Sequence, residues 1–278
     1  MEISAAEQEK IYSASKMILE ADGILITAGA GIGVDSGIPD FRGCDGNINP
    51  SKEMIEYQRN SQPKRFLDQP LLAWGQHGHS LNLFRNAIPH DGFRVLKKLS
   101  EKITNGAFVV TSNVDGQFQK AGFEEDRIYE IHGTMHRLQC IEPSHGTWSA
   151  ESFSPEVNAE NGSLVSDIPR CPQCDGIARP NVLLFNDVGF NRKIAQEQQS
   201  RFDGWLENVN RLVTIEIGAG IHVTTIRDIG ERLDGMIIRI NPQRYIQHYH
   251  LLPEKGVHIE MGALKSLVLL DSAFQKLI

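Results

Sequence analysis

The run Ile24 to Ala28 (ILITA) is a short apolar segment that leads straight into a glycine-crowded turn, and this order constrains the fold more than any other feature. A short apolar run held between Gly23 and Gly29 predicts a strand buried on both faces, the kind found in parallel sheets covered by helices. The turn lies within Thr27 to Gly43, which reads TAGAGIGVDSGIPDFRG. Gly29, Gly31 and Gly33 are expected to bring backbone N–H groups close to a phosphate, because a Cβ would hold an anion away or resist positive φ. A nucleotide is the expected ligand. The spacing is not the dehydrogenase fingerprint G-x-G-x-x-G, since Val34 stands at its third glycine.

Further strands are predicted at Ala107 to Thr111, Asn181 to Phe185, Arg211 to Ile217 and Met236 to Ile240. Helices are predicted at Ala5 to Leu19, Asp91 to Glu101, His222 to Leu233 and Ala263 to Leu277. Apolar strands alternating with helical segments predict an α/β fold with a Rossmann-like parallel sheet and helices on both faces. Two stretches interrupt the alternation. Cys44 to Pro89 is polar and mostly helical, with Phe66, Trp74 and Phe84 as aromatic anchors, and Met135 to Arg179 holds three of the four cysteines. The expected division is residues 1–43, 90–134 and 180–278 for the Rossmann-like domain, 44–89 for a helical insertion and 135–179 for a zinc-ribbon-like insertion. Glu151 to Ser166 is polar and is expected to form a surface loop.

With 278 residues, 40% of them hydrophobic, the chain is long enough to bury a substantial core. A formal charge of −7 argues against nucleic-acid binding, which draws on a basic surface. No apolar run approaches membrane-spanning length and the first residues lack a signal-peptide core, so no membrane association and a cytoplasmic location are expected. Few cysteines, two of them as Cys171-Pro-Gln-Cys174, fit thiols or a metal site better than a disulfide framework.

Asn113, Asp115 and His132 follow or lie near predicted strands, where open α/β sheets gather ligand-binding groups. Each also has a plain structural use: Asn113 and Asp115 as turn or capping residues before Gly116, and His132 as a hydrogen-bonded core histidine. A wider pattern favours the functional use. Thr27 to Gly43, TSNVD (Thr111 to Asp115), IHG (Ile131 to Gly133), CPQC, ARPNVLLF (Ala178 to Phe185), IEIGAG (Ile215 to Gly220) and RIN (Arg239 to Asn241) resemble the sirtuin motifs, in the same order, from Ile24 to Leu267.

The resemblance implies an NAD-dependent protein lysine deacylase acting on an acylated protein or peptide, with its active site between a Rossmann-like domain and a smaller module. It assigns His132 as the general base and Asn113 to the ribose or an ordered water. Asp115 would take the nicotinamide carboxamide together with backbone near Ile38. Gly29, Ala30, Gly31, Asp40 and Ser112 would line the NAD site, Phe41 would shield the reacting face, and Arg42 would hold phosphate or position a loop. Gly218, Ala219 and Gly220 would meet phosphate through backbone, and Asn241 would reach the adenosine ribose. Gly33 and Ser112 depart from the family's usual serine and glutamine, in the manner of a bacterial-type subgroup. A NAD glycohydrolase or ADP-ribosyltransferase using the same pocket is the alternative, and a non-enzymatic NAD or ADP-ribose sensor is a third.

Cys171-x-x-Cys174 has the spacing of half a tetrahedral zinc site. Cys140 is a third ligand, and His145, next to Ser144, is placed to complete a Cys3His set, with water or Glu142 as the other candidates. The alternative is a metal-free module packed around Trp148. In Leu71 to Arg85, the positions at which some sirtuins read a carboxylated acyl group with Tyr and Arg are His77 and Ser80, which offer no arginine fork. Neutral acyl groups are therefore expected, with His77 able to recruit acidic ones only when protonated. Gly46-Asn47-Ile48 and Phe185-Asn186-Asp187 also depart from the usual substrate-side residues.

Overall fold

The computed structural model describes residues 3–40, 59–220, 223–242 and 256–278. Its strands in chain order are β1 (Gly23–Ala28), β2 (Ala107–Thr111), β3 (Ile128–Glu130), β4 (Gly133–Cys140), β5 (Thr147–Ser149), β6 (Ala178–Val182), β7 (Leu212–Ile217), β8 (Met236–Ile240) and β9 (Gly256–Ile259). Six of them form one sheet in the order β3-β2-β1-β7-β8-β9, with every pairing parallel. The chain builds outward from β1 in one direction through β2 and β3, then from β7 in the other through β8 and β9. That reversal opens a crevice at the carboxyl ends of β1 and β7, where sheets of this kind bind ligands.

The helices are α1 (Ala5–Glu20), α2 (Pro70–Asn86), α3 (Asp91–Ser100), α4 (Lys193–Leu206), α5 (Thr225–Arg232) and α6 (Ala263–Phe274); α1, α3, α5 and α6 lie on the predicted segments, with α6 ending three residues early. Ser4 opens α1 with a capping box, its hydroxyl accepting from the Glu7 N–H while the Glu7 carboxylate accepts from the Ser4 N–H. One sheet face, with Ile24, Ile26 and Ala28 of β1, packs on α1, α3 and α6 through Ile18, Leu96 and Leu270. The other, with Leu25, Phe108 and Val110, packs on Phe202 and Trp205 of α4 and Ile226 of α5. Successive β1 residues thus serve opposite cores, which is why the strand carries no polar face.

The predicted strand at Asn181 to Phe185 needs correction. The strand is Ala178–Val182, and it belongs to a separate antiparallel sheet of order β5-β4-β6. Pro180 fits there because β6 is an edge strand and loses nothing by lacking one N–H. An apolar run alone does not distinguish the two kinds of sheet. This smaller sheet packs with α2 around Phe66, Trp74, Leu81, Met135 and Leu138, and the Trp74 indole donates to the Ala178 carbonyl at 2.9 Å. The Glu151 to Ser166 segment is irregular, but it is docked along α2: Leu164 is buried and its N–H donates to the Leu71 carbonyl at 2.9 Å. A Cβ at Gly75 would stand 1.9 Å from the Gly162 carbonyl oxygen, so α2 needs glycine to lie this close.

Candidate functional site

The glycines after β1 act through contact as well as through their amides. A Cβ on Gly29 would lie 2.7 Å from the Gly218 carbonyl oxygen, and one on Gly218, at φ 63°, would lie 2.4 Å from the Ile32 nitrogen. Two loops without side chains are therefore pressed together at the mouth of the crevice. The Gly29 N–H donates to the Ile217 carbonyl at 2.9 Å and the Gly31 N–H to the Gly218 carbonyl at 3.1 Å. Those two amides join the loops instead of facing an anion, which corrects the simplest reading of the motif. Gly33 is tight as well, its Cβ position 3.2 Å from Cβ of Ile38, so a serine there would require Ile38 to move. The turn Ala30–Ser36 is fixed from outside by His90, a residue that sequence reasoning missed. His90 Nδ1 accepts from the Gly92 N–H at the start of α3, which leaves Nε2–H to donate to the Ile32 carbonyl at 2.9 Å.

Asn113 leaves the end of β2 with its N–H on Thr111 Oγ1 at 3.0 Å, and its side-chain amide donates to the Gly29 carbonyl at 3.1 Å. The neighbouring Ser112 N–H donates to the Ala28 carbonyl. Asp115 is buried, and its carboxylate accepts from the Gln117 N–H at 3.0 Å. Burial raises its pKa to about 6, against the opposing pull of that hydrogen bond and of Lys120. His136 Nε2 lies 2.9 Å from the Asp115 carbonyl, and its ring fills the space a Cβ on Gly116 would need. Glu130, at the end of β3, is also buried, and its pKa is pushed up to about 7, chiefly by burial.

His132 sits at the joint between the two sheets, after β3 ends at Glu130 and before β4 begins at Gly133. Its carbonyl accepts from the Leu183 N–H at 2.8 Å. Gly133, at φ 72°, makes the joint possible, since a Cβ there would stand 2.1 Å from the Asn181 carbonyl oxygen. Burial lowers the His132 pKa below its ordinary value, only partly offset by a hydrogen bond with the Ser112 backbone. The ring is therefore neutral at physiological pH and able to accept a proton. Asp40 is half-buried just after the turn. Phe41, Arg42 and Gly46-Asn47-Ile48 lie outside the described residues. Asn241, at the end of β8, donates its side-chain amide to the Ala219 carbonyl at 3.0 Å.

The metal ligands predicted from sequence converge. The donor atoms of Cys140, His145, Cys171 and Cys174 all lie within 4.8 Å of one another. Cys140 Sγ is 3.7 Å from Cys174 Sγ, and Cys171 Sγ is 3.7 Å from His145 Nδ1. Thiolates about 2.3 Å from a tetrahedral zinc are about 3.8 Å apart, so the arrangement fits the ion. Backbone N–H groups of Glu142, Gln173 and Gly176 each point at one of the sulfurs. Burial opposes ionisation of Cys171, but the amides of Gln173 and Cys174 and the neighbouring thiols outweigh it and bring its pKa down to about 7.

On the substrate side, His77 is not a reader of acyl groups. It is buried in α2 with Nδ1 2.8 Å from the Ala73 carbonyl and its ring 5.1 Å from that of Phe66, and burial drives its pKa down to about 4. The expectation that His77 would recruit an acidic acyl group when protonated is therefore withdrawn. Ser80 Oγ donates to the Gln76 carbonyl within the helix, and Arg65 donates to Gln76 and to the Asn60 carbonyl. Asn186 adopts φ 56°, the left-handed conformation that asparagine tolerates and glycine favours. Asp187 is held in a buried bidentate pair with Arg179 at 2.7 and 3.0 Å and also accepts from the Leu184 and Gly189 N–H groups.

A doubly covered parallel sheet with glycine loops at its switch point, and a four-donor cluster in an antiparallel module beside it, defines a two-part α/β protein with a zinc-ribbon-like insertion. The Sir2 family model matches residues 29–224, and the chain belongs to that family. A protein of Aquifex aeolicus named NAD-dependent protein deacylase is 32% identical over 164 residues, which span 59% of this chain and 62% of that protein. NAD-dependent protein deacetylase 2 of Caldanaerobacter subterraneus is 28% identical over 232 residues, 81% of this chain and 82% of that protein. Among solved structures, a Sir2 homolog–NAD complex shares the fold with a TM-score of 0.72 at 22% identity, covering 95% of this chain and 93% of that one.

Proposed function

We propose that the protein is an NAD-dependent protein lysine deacylase of the sirtuin type, which moves the acyl group of a modified lysine to ADP-ribose. One observation carries the reading: Asn113, set at the end of β2, donates to the carbonyl of crevice residue Gly29, with Asp115 and His132 at the same end of the sheet. The names of the bacterial relatives support it. The crevice also fits a dinucleotide, because the facing Gly29 and Gly218 leave it lined by backbone where a Cβ would intrude.

When bound, NAD supplies an electrophilic anomeric carbon with nicotinamide as the leaving group. Asp115, largely ionised above its pKa of about 6, accepts from a carboxamide N–H. Asn113 orients a ribose hydroxyl or a water, and Gly29, Ala30, Gly31, Asp40, Ser112 and the Gly218-Ala219-Gly220 loop line the remainder. His132, neutral at working pH, takes a proton at a ring nitrogen. Phe41 and Arg42 complete the set on the resemblance alone. Cys140, His145, Cys171 and Cys174 would hold a structural zinc, which would pin the smaller module. The substrate is an acylated peptide, and the acidic chain suits neither nucleic acid nor an anionic membrane.

The test is incubation with NAD and a panel of acyl-lysine peptides, separating O-acyl-ADP-ribose from free ADP-ribose. Peptide-dependent O-acyl-ADP-ribose is the expected product. ADP-ribose formed at the same rate without peptide would assign a glycohydrolase and reject the deacylase.

A further inference from the structure

The first three residues after β7, Gly218, Ala219 and Gly220, carry no polar side chain, where many sirtuins have hydroxyl residues. An anion met by these three residues is met by backbone, so the direction of each peptide group decides what they can hold. Both carbonyls in question are anchored by hydrogen bonds. That of Gly218 accepts the Gly31 N–H at 3.1 Å, and that of Ala219 accepts the Asn241 amide at 3.0 Å and the Arg227 guanidinium at 3.3 Å. Described peptides are all trans, so the N–H that shares a peptide plane with a carbonyl points the opposite way. Anchoring those carbonyls therefore fixes the directions of the Ala219 and Gly220 N–H groups.

Arg227 is an expensive residue to bury, and it is 1% exposed on α5. Its Nη2 lies 3.4 Å from a Glu216 carboxylate oxygen and 3.3 Å from the Ala219 carbonyl, while both Glu216 oxygens also receive Arg239, at 2.7 and 2.8 Å. What Arg227 adds is a cation whose hydrogen bond lands on the carbonyl that aims the loop.

We propose that Arg227 is a positioning residue for dinucleotide binding, holding the Ala219 carbonyl so that the Ala219 and Gly220 amides face a phosphate in place of the missing hydroxyls. The proposal rests on the reading that this crevice binds NAD. Arg227 touches no ligand itself. It acts through peptide orientation and through a buried positive charge behind the loop.

The experiment measures ADP-ribose binding by calorimetry, alongside melting temperature and steady-state kinetics in NAD. Arg227→Met is expected to weaken ADP-ribose binding by about tenfold, the scale of losing a charged hydrogen bond. Most of its loss in kcat/KM should fall on KM. Arg227→Lys, which keeps the charge and a donor, should recover a large part of the affinity. Binding by Arg227→Met within about twofold of the wild type would overturn the proposal. So would equal loss in the Met and Lys variants in step with a falling melting temperature, because that marks a role in packing alone. If Arg227→Met does not fold, Arg227→Gln removes the charge while keeping a polar side chain and leaving the Glu216–Arg239 pair intact, and it must also bind ADP-ribose more weakly than the wild type. Wild-type protein that binds neither NAD nor ADP-ribose would instead defeat the assignment of the crevice.

Discussion

Glu130 offers a prediction whose size follows from its surroundings. It is buried at the end of β3, its N–H donates to Gln198 Oε1 at 3.0 Å, and the side chains of Gln119, Thr134 and Gln198 as polar donors favour its ionised form. Burial, with repulsion from Asp115, outweighs those donors and moves its pKa from 4.5 to about 7. Between those values the folded protein holds a proton that the unfolded chain has released, so stability falls as pH rises through this window and levels off above 7. The loss from Glu130 between about pH 5.5 and about pH 8.5 is about 2 kcal/mol. Glu130→Gln keeps the shape and removes the titration. Urea denaturation of both proteins at the two pH values isolates the effect, because histidine contributions cancel in the comparison. The variant should gain on the wild type by about 2 kcal/mol on going to the higher pH. Parallel stability curves would refute the idea that Glu130 carries a proton in the folded state near neutrality.

His132→Ala should lower turnover by about 10²–10⁴-fold while leaving ADP-ribose binding nearly intact, and equal loss of both would reject it as the base. Because burial depresses the His132 pKa, the acid limb of kcat/KM should lie below pH 6.5; a limb above that value would contradict its environment. Metal analysis should find about one zinc per chain, with stability lost on chelation and the zinc content reduced in Cys171→Ser. Protein that is metal-free yet equally stable would favour a module held by packing alone. Acyl-peptide profiles should favour neutral acyl groups at and above pH 7, since buried His77 supplies no cation there, and efficient desuccinylation at pH 8 would show that another basic group reaches the pocket.

The parallel sheet was legible because its strands are short apolar runs next to loop residues, and β2 and β8 fall on the predicted residues. The four-donor cluster was partly legible: the spacing of Cys171 and Cys174 marks one knuckle, whereas His145 was one of several candidates for the fourth place, and the structure brings it together with Cys140 and the knuckle. The antiparallel partner of β6 was not legible. Its pairing is decided by contacts far along the chain, between Asn181 and Gln139 and between Trp74 and the Ala178 carbonyl. His77 was misread for a related reason. A histidine between glycines on a polar-looking helix gives no sign that Phe66 and a backbone carbonyl enclose it. His90 and His136 were passed over because each acts on a backbone carbonyl, which no side-chain motif records.

Two charges inside apolar strands did carry a signal that motif matching passes over. IEI in β7 and RIN after MII in β8 each place one ionisable residue where a doubly covered sheet should be apolar, and neither charge is affordable there alone. Parallel register sets Glu216 directly beside Arg239, and continues the row to Thr27 on β1 and His258 on β9. The row lies one residue before the crevice, and α5 brings Arg227 and Glu231 over it. A purely apolar layer would pack the sheet equally well, and replacing such networks by hydrophobic residues is often neutral or stabilising. What an apolar layer lacks is direction. Glu216 fixes Arg239, Arg227 and Asn241 fix the Ala219 carbonyl, and His258 bonds the Asn241 carbonyl at 3.0 Å, so each of these polar groups bears on the backbone at the end of β7 or β8. The charges in the strands thus make sense as support for loops whose own side chains hold nothing.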